Sequence, residues 1–391
     1  MTDFSDKALL PAGFSDVLAP DADFEALVLN RLLRCFSGHG YDRVEPPLIE
    51  FEDGLLTGIG AGLAEQTFRL MDPESQRMMA VRADITPQVA RIAQARLAKA
   101  PRPLRLSYAG QVLRVRGSQL RPERQFTQVG AELIGAAGPA ADAEVIAMAA
   151  GALIELGVAE LSCDLGLPAL VPAVSGDADP SLQAKLRQAL DRKDAAAVAG
   201  LGGELGEALT QTLAAMLSAA GPAAKTLDAL GGLGVEGDAE DGRKLLADVV
   251  DRVRAARPDL KLTIDPVENR GFEYHTGVTF TFFAKGVRGE LGSGGRYAAN
   301  DDDANGGEPA TGFTLFMDTV LRALPAPVTA SRVFLPAGTP AEEAAKLRAK
   351  GWIAVASLDQ GADAETEAKR LACSHLLDGG KIKEIGKKKK G

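Results

Sequence analysis

Two extended segments, residues 105–115 and 123–133, stand on either side of a short loop. On and around them fall six arginines: Arg102, Arg105, Arg114, Arg116, Arg121 and Arg124. Long strands joined so closely pair as an antiparallel hairpin. Such a density of guanidinium groups needs anions or carboxylates opposite, because like charges side by side on a sheet repel. Strand alternation puts Arg114 and Arg116 on one side. On the following strand Arg124, Gln128 and Glu132 share one parity, so that an amide and a carboxylate line one face. That pair suits an ammonium or an imidazole, although the same residues also fit a solvent-facing charge network.

The flanking sequence extends the sheet. Further extended segments are expected at residues 66–71, 77–81, 260–266 and 280–284, with turn formers such as Asp72-Pro73 between them. Residues 23–39 place Phe24, Leu27, Leu29, Leu32, Leu33 and Phe36 near helical spacing. Thr86 followed by Pro87 reads as the N-cap and first turn of a helix over residues 86–100. Pro46 and Pro47 restrict the strand near residues 45–51 to an edge, which can pair across a two-fold axis. Residues 168–256 change to Ala, Leu, Gly, Lys and Asp in helical runs without one aromatic side chain, as in a thinly packed helical insertion able to shift against the sheet. Beyond Pro325 the pattern strand, helix, strand, helix marks a small α/β module over residues 330–391, ending in a solvated tail, Lys387 to Lys390. The expected class is α+β: an antiparallel sheet flanked by helices, with two additions.

Composition excludes whole classes of function. With 46% hydrophobic and 25% charged residues, a chain of 391 residues is globular rather than disordered. A net charge of −9 opposes general coating of nucleic acid, so any anion site must be built locally. The polar, acidic start MTDFSDKALL lacks a signal peptide's apolar core, which points to the cytoplasm. Residues 208–224, the longest charge-free stretch, contain Thr, Gln, Ser and a Gly-Pro break and read as soluble helices rather than a membrane span. Cys35, Cys163 and Cys373 are too far apart for a CxxC metal or redox pair, and the acidic run at residues 301–303 reads as a loop. No cofactor and no metal are expected.

Several motifs resemble a known family. LPAGFSDVLAP near the start, VRADITPQVAR at 81–91, the hairpin, ADAEVI at 141–146, RGFEYHTG at 270–277 and GSGGRYA at 292–298 are similar, in order and spacing, to the core of the class II histidyl-tRNA synthetases. The resemblance implies a core of residues 1–167 and 257–325, interrupted by the insertion at 168–256, and a shortened anticodon-binding-like module at the end. It implies that Asp84 and Thr86, with Gln128, hold a histidine α-ammonium, and that Arg114 and Arg270 lie near the carboxylate. Glu132 with Tyr274 and His275 would meet the imidazole, although His275 stands where the synthetase pattern has a tyrosine.

Two ATP anchors of that pattern are missing. The motif arginine, Arg114, is followed two residues on by Arg116 where the family has a glutamate, and Thr319 stands where an arginine holds the ATP phosphates. Losing one such guanidinium removes a contact worth about 1.5–3 kcal/mol. A histidine pocket without adenylation resembles the synthetase paralogues that serve as regulatory subunits of ATP phosphoribosyltransferase. This implies a non-catalytic chain, a homodimer within a larger hetero-oligomer. Its partners would be the short-form catalytic subunit and L-histidine, with neither tRNA nor membrane. The alternatives are an active synthetase with an unusual ATP site and an orphan paralogue that senses another ligand.

Overall fold

The computed structural model describes residues 9–176, 179–268, 274–299, 307–326, 330–359 and 363–385. The chain divides into two compact units, Met1–Pro325 and Ala326–Gly391. In the first, the strands in chain order are β1 (Asp42–Arg43), β2 (Ile49–Phe51), β3 (Arg69–Met71), β4 (Met78–Val81), β5 (Leu104–Leu113) and β6 (Gln125–Ile134). They continue with β7 (Leu161–Gly166), β8 (Gly221–Pro222), β9 (Lys261–Ile264), β10 (His275–Ala284), β11 (Gly292–Ala299) and β12 (Glu308–Phe316). The helices used below are α1 (Asp21–Gly38), α2 (Thr86–Ala95), α3 (Pro139–Leu156), α4 (Asp238–Ala256) and α5 (Met317–Ala323).

Nine strands form one sheet in the order β1-β5-β6-β12-β11-β10-β7-β9-β8. Only β1/β5 and β7/β9 pair in parallel, so the antiparallel expectation holds. The hairpin runs in register from Leu104 opposite Ile134 to Leu113 opposite Gln125. It ends two residues earlier than expected on one side and starts two later on the other. The alternation argued for Arg114 and Arg116 therefore stops short of them: Arg114 is half-buried, while Arg116 is exposed in the loop. Arg124 likewise precedes β6, and its guanidinium turns away to the Ala12 and Arg114 carbonyls.

The two faces of the sheet bury different partners. On one face Val129, Ala131 and Leu133 pack with Phe313 and Leu315 under α1 and α3. The buried stripe of α1 is Val28, Leu32 and Phe36, a spacing of four, whereas Leu27 is exposed. On the other face Leu106, Tyr108 and Phe126 pack under Ile85, Val89 and Ala93 of α2 and the turn before it. Fully burying one such aliphatic or aromatic side chain is worth about 1.5–3 kcal/mol.

Other elements depart from the sequence pattern for identifiable reasons. Helix α3 is buried on nearly every side, so it has no polar stripe to announce it. The segment Gly58–Gln66 is a 3-10 helix, and the strand expected at 66–71 shrinks to β3. Helices between residues 170 and 256, among them α4, bury Leu186, Leu213, Met216, Leu246 and Val250 in the same core as the sheet strands. Strand β2 is the edge of a separate three-stranded sheet, β2-β4-β3. The Pro46 and Pro47 carbonyls just before it accept hydrogen bonds from Arg82 and Gln88, both at 2.8 Å.

The second unit holds β13 (Arg332–Leu335), β14 (Ile353–Ala356), β15 (His375–Asp378) and β16 (Lys381–Glu384), ordered β14-β13-β15-β16, with helices Ala341–Ala349 and Ala364–Arg370. Val333 and Leu335 pack with Leu347 and Leu377 on one side, and Phe334 with Ala368 and Cys373 on the other. The lysine tail and the acidic run at 301–303 lie outside the described residues. Among the described residues no helix is long and apolar enough to cross a membrane.

Candidate functional site

The register of the central strands builds the floor of a pocket. Glu132 on β6 lies opposite Leu106 on β5 and Gly312 on β12, and Gln128 lies opposite Gly110 and Phe316. Gln128 and Glu132 therefore share a face, as their parity requires. Farther across the sheet, Gly312 pairs with Gly295, and Tyr297 with His275. Glycines keep this floor clear: a Cβ at Gly295 would lie 2.5 Å from the His275 ring, and one at Gly130 2.5 Å from the Tyr108 hydroxyl.

Glu132 is the chemical centre, with 1% of its surface exposed. Its Oε1 accepts from the Thr86 hydroxyl at 2.9 Å and its Oε2 from the Tyr297 hydroxyl at 2.9 Å. Burial pushes this carboxyl up to about 8, against the pull of its hydroxyl donors and with a further push from Asp84. Burial, and after it the charge of Glu132, also raise the Tyr108 and Tyr297 phenols, which stay protonated donors.

The turn before α2 supplies the second wall. Asp84 Oδ1 accepts from the Thr86 backbone N–H at 2.9 Å, and Asp84 Oδ2 accepts from Gln128 Nε2 at 2.8 Å. Asp84 thus satisfies the helix start in place of the Thr86 cap that the sequence suggested, and the Thr86 hydroxyl is released to Glu132. Gln128 Oε1 accepts from the Ile85 N–H at 3.1 Å, so both ends of this buried amide already hold the turn.

Tyr274 and His275 close the far side. Their rings lie 4.0 Å apart at 31°, and Tyr274 meets Tyr297 edge-on at 6.2 Å. A cleft of about 280 Å³ opens between Tyr274, Asp84, Thr86 and the 3-10 segment at Ile59, Leu63 and Gln66. Thr86 and Tyr274 also line a second, small chamber against Glu132, His275, Tyr297 and Thr314. Arg114 is half-buried nearby, its guanidinium 5.1 Å from the Phe126 ring centre and one N–H on the Ala83 carbonyl.

Asp84, Thr86, Gln128, Glu132, Tyr274 and His275 therefore come together, with Arg114 at the margin, and Arg270 lies outside the described residues. Sequence reasoning missed Tyr108, Tyr297 and Thr314. Parity along the hairpin would have found Tyr108, which faces Gly130, and Tyr297 stands in the GSGGRY motif. Among the described residues no three His, Cys, Asp or Glu side chains are grouped as a metal site.

Beside the pocket, Arg121 donates to Asp318 at 3.2 Å and stacks over Phe316, 3.8 Å from its ring centre. Thr319 is buried against the same guanidinium.

The histidyl-tRNA synthetase family model matches residues 13–320. A protein of Rhodospirillum centenum named ATP phosphoribosyltransferase regulatory subunit is 57% identical over 97% of this chain and 96% of its own length. A protein of that name from Paramagnetospirillum magneticum is 56% identical over 98% of this chain and all of the relative. The fold is shared with an ATP phosphoribosyltransferase regulatory subunit/histidyl-tRNA synthetase from Bacillus halodurans, with TM-score 0.81, 24% identity, and 93% of this chain and 96% of that one covered. It is shared too with the histidyl-tRNA synthetase of Nostoc, with TM-score 0.77, 18% identity, and 95% and 91% covered. The chain belongs to the histidyl-tRNA synthetase family and, within it, to the ATP phosphoribosyltransferase regulatory subunits.

Proposed function

We propose that this chain is the non-catalytic subunit that activates a short-form ATP phosphoribosyltransferase catalytic subunit, and that it binds L-histidine to convey feedback inhibition of the first step of histidine biosynthesis in the cytoplasm. The observation that carries the ligand is the buried Glu132 carboxylate in a small chamber that shares Thr86 and Tyr274 with the cleft beside Asp84. An ionised carboxylate there accepts an imidazole N–H, with Tyr274 and His275 against the ring. Asp84 and Thr86 take the α-ammonium, Gln128 holds Asp84 in place, and Arg114, with Arg270, meets the carboxylate.

Two features support loss of adenylation. Arg116 replaces a glutamate and is exposed, and Thr319 replaces an arginine and is buried. The arginines beside Thr319, Arg121 and Arg322, are both paired with Asp318. We read residues 1–167 and 257–325 as the synthetase-like core, 168–256 as its insertion and 330–391 as the shortened module. Tests for tRNA binding are expected to be negative.

A homodimer is supported by the three-stranded sheet. Ile49, Phe51, Leu70, Met79 and Val81 share one face by register, and Ile49 and Phe51 are 37% and 38% exposed. An apolar sheet face of this kind favours a symmetric partner.

The decisive experiment is a transferase assay with the purified short catalytic subunit, with and without this chain, across a histidine titration. Activation that histidine reverses is the expected result. No activation by the folded chain, together with histidine-dependent ATP–pyrophosphate exchange, would establish a synthetase instead.

A further inference from the structure

We propose that Tyr108 is a positioning residue of the histidine pocket: its hydroxyl is the middle link of a one-way relay that directs the Thr86 hydroxyl to the ionised Glu132 and so favours the form that accepts an imidazole N–H. The proposal rests on the histidine reading above.

Tyr108 is fully buried and does not line the chamber; its hydroxyl meets Thr86, Glu132, Phe313 and Thr314, which do. Its hydroxyl stands 2.7 Å from Thr314 Oγ1, 3.2 Å from Thr86 Oγ1, 3.4 Å from Glu132 Oε1 and 3.5 Å from the Phe313 carbonyl oxygen. Each hydroxyl owns a single proton. While Glu132 is ionised, the Thr86 proton goes to it. In the contact between Thr86 and Tyr108, Tyr108 is therefore the donor, and in the contact between Tyr108 and Thr314, Thr314 is the donor. The order Thr314 to Tyr108 to Thr86 to Glu132 follows from this count together with the distances, Thr86 being nearer to the Tyr108 hydroxyl than Glu132 Oε1 or the Phe313 carbonyl, and every link polarises the next toward the carboxylate. Protonating Glu132 on Oε1 reverses the relay, because the carboxyl then donates to Thr86.

The backbone is adapted to the relay. Gly130, opposite Tyr108, has no side chain to block the hydroxyl. The groups facing Glu132 are Asp84 on the turn before α2, Tyr108 on β5, Tyr297 on β11 and Tyr274 with His275 at the start of β10, with Tyr41 at longer range. Asp84 disfavours the ionised form; Thr86, Tyr297 and Tyr108 favour it.

The test is carbon NMR of δ-labelled glutamate across pH in the full chain, with the Glu132 signal assigned by Glu132→Gln, and histidine calorimetry in parallel. Tyr108→Phe should raise the Glu132 midpoint by about one pH unit, the scale of one hydrogen bond to a charged group. Histidine affinity should fall severalfold at neutral pH and recover in more alkaline buffer. Thr314→Val, which removes only the head of the relay, should move the midpoint the same way by less. An unchanged midpoint in folded Tyr108→Phe, or an affinity loss equal at all pH values, overturns the relay. Failure of the wild-type chain to bind histidine overturns the pocket reading, while the NMR midpoints still decide what Tyr108 does to Glu132.

Discussion

Gly312 lies directly across from Glu132 in the β6/β12 register, and a Cβ added to it would stand 1.7 Å from Glu132 Oε2. The carboxylate occupies the space that a side chain on the neighbouring strand would need. Gly312→Ala should therefore displace Glu132 and abolish histidine binding. Overpacking of this kind costs about 1–3 kcal/mol of stability. Calorimetry and a thermal melt on the same sample check both effects.

Glu132 gives a pH signature with a definite sign. Its folded value, about 8, exceeds the ordinary 4.5, so the native state holds a proton that the unfolded chain releases between those values. The stability from the neutral buried acid is complete below pH 4.5 and is lost as pH rises through 8. Glu132→Gln lacks that dependence. Its unfolding free energy relative to the wild type, read in denaturant, should rise by a few kcal/mol from pH 5 to pH 8 and then level off. The same variant should bind histidine more than about tenfold more weakly.

Arg114 and Arg116 should separate in function. Arg114→Ala removes a charge-assisted contact worth about 1.5–3 kcal/mol, which lowers histidine affinity by about 10- to 150-fold. Arg116→Ala, at an exposed loop position, should leave histidine affinity unchanged. If activation of the transferase falls in that variant, Arg116 serves the partner or an anion.

Phe51→Glu puts a charge in the apolar face of the three-stranded sheet without touching the pocket. Sedimentation should show a dimer for the wild type and a monomer for the variant. A dimer unchanged by this substitution would place the two-fold contact elsewhere.

Asp142 and Arg296 form a buried ion pair at 2.9 Å that ties the start of α3 to β11. Arg296 also donates to the Ala136 and Gly138 carbonyls, so the arginine of the GSGGRY motif is a structural brace. Asp142→Ala leaves that guanidinium buried without its counter-ion. A loss of about 3–5 kcal/mol, read in denaturant unfolding, is expected.

Much of the pocket was legible because the motifs that resemble the synthetase family are short and local, and because Gln128 and Glu132 share a strand. Asp84 and Thr86 flank one turn, Gln128 and Glu132 are four apart on one strand, and Tyr274 and His275 are neighbours. The same local reasoning failed for Arg116 and Arg124, because alternation applies only within a strand, and β5 ends at Leu113 while β6 begins at Gln125. It missed α3, whose burial on nearly all sides erases the helical period.

Spacing and residue type established a mixed fold with an antiparallel sheet and put Gln128 and Glu132 on one face, since periodicity and turn chemistry act over a few residues at a time; Asp84, Thr86, Tyr274 and His275 were marked by the resemblance of their motifs to the synthetase family. Which hydroxyls surround Glu132 was settled by packing. Thr314 reaches Tyr108 across 206 positions of chain, and Tyr297 reaches Glu132 across 165. Backbone hydrogen bonds between strands far apart in sequence set that register, and the missing side chains of Gly130 and Gly312 leave room for it; no pattern within a single segment encodes either.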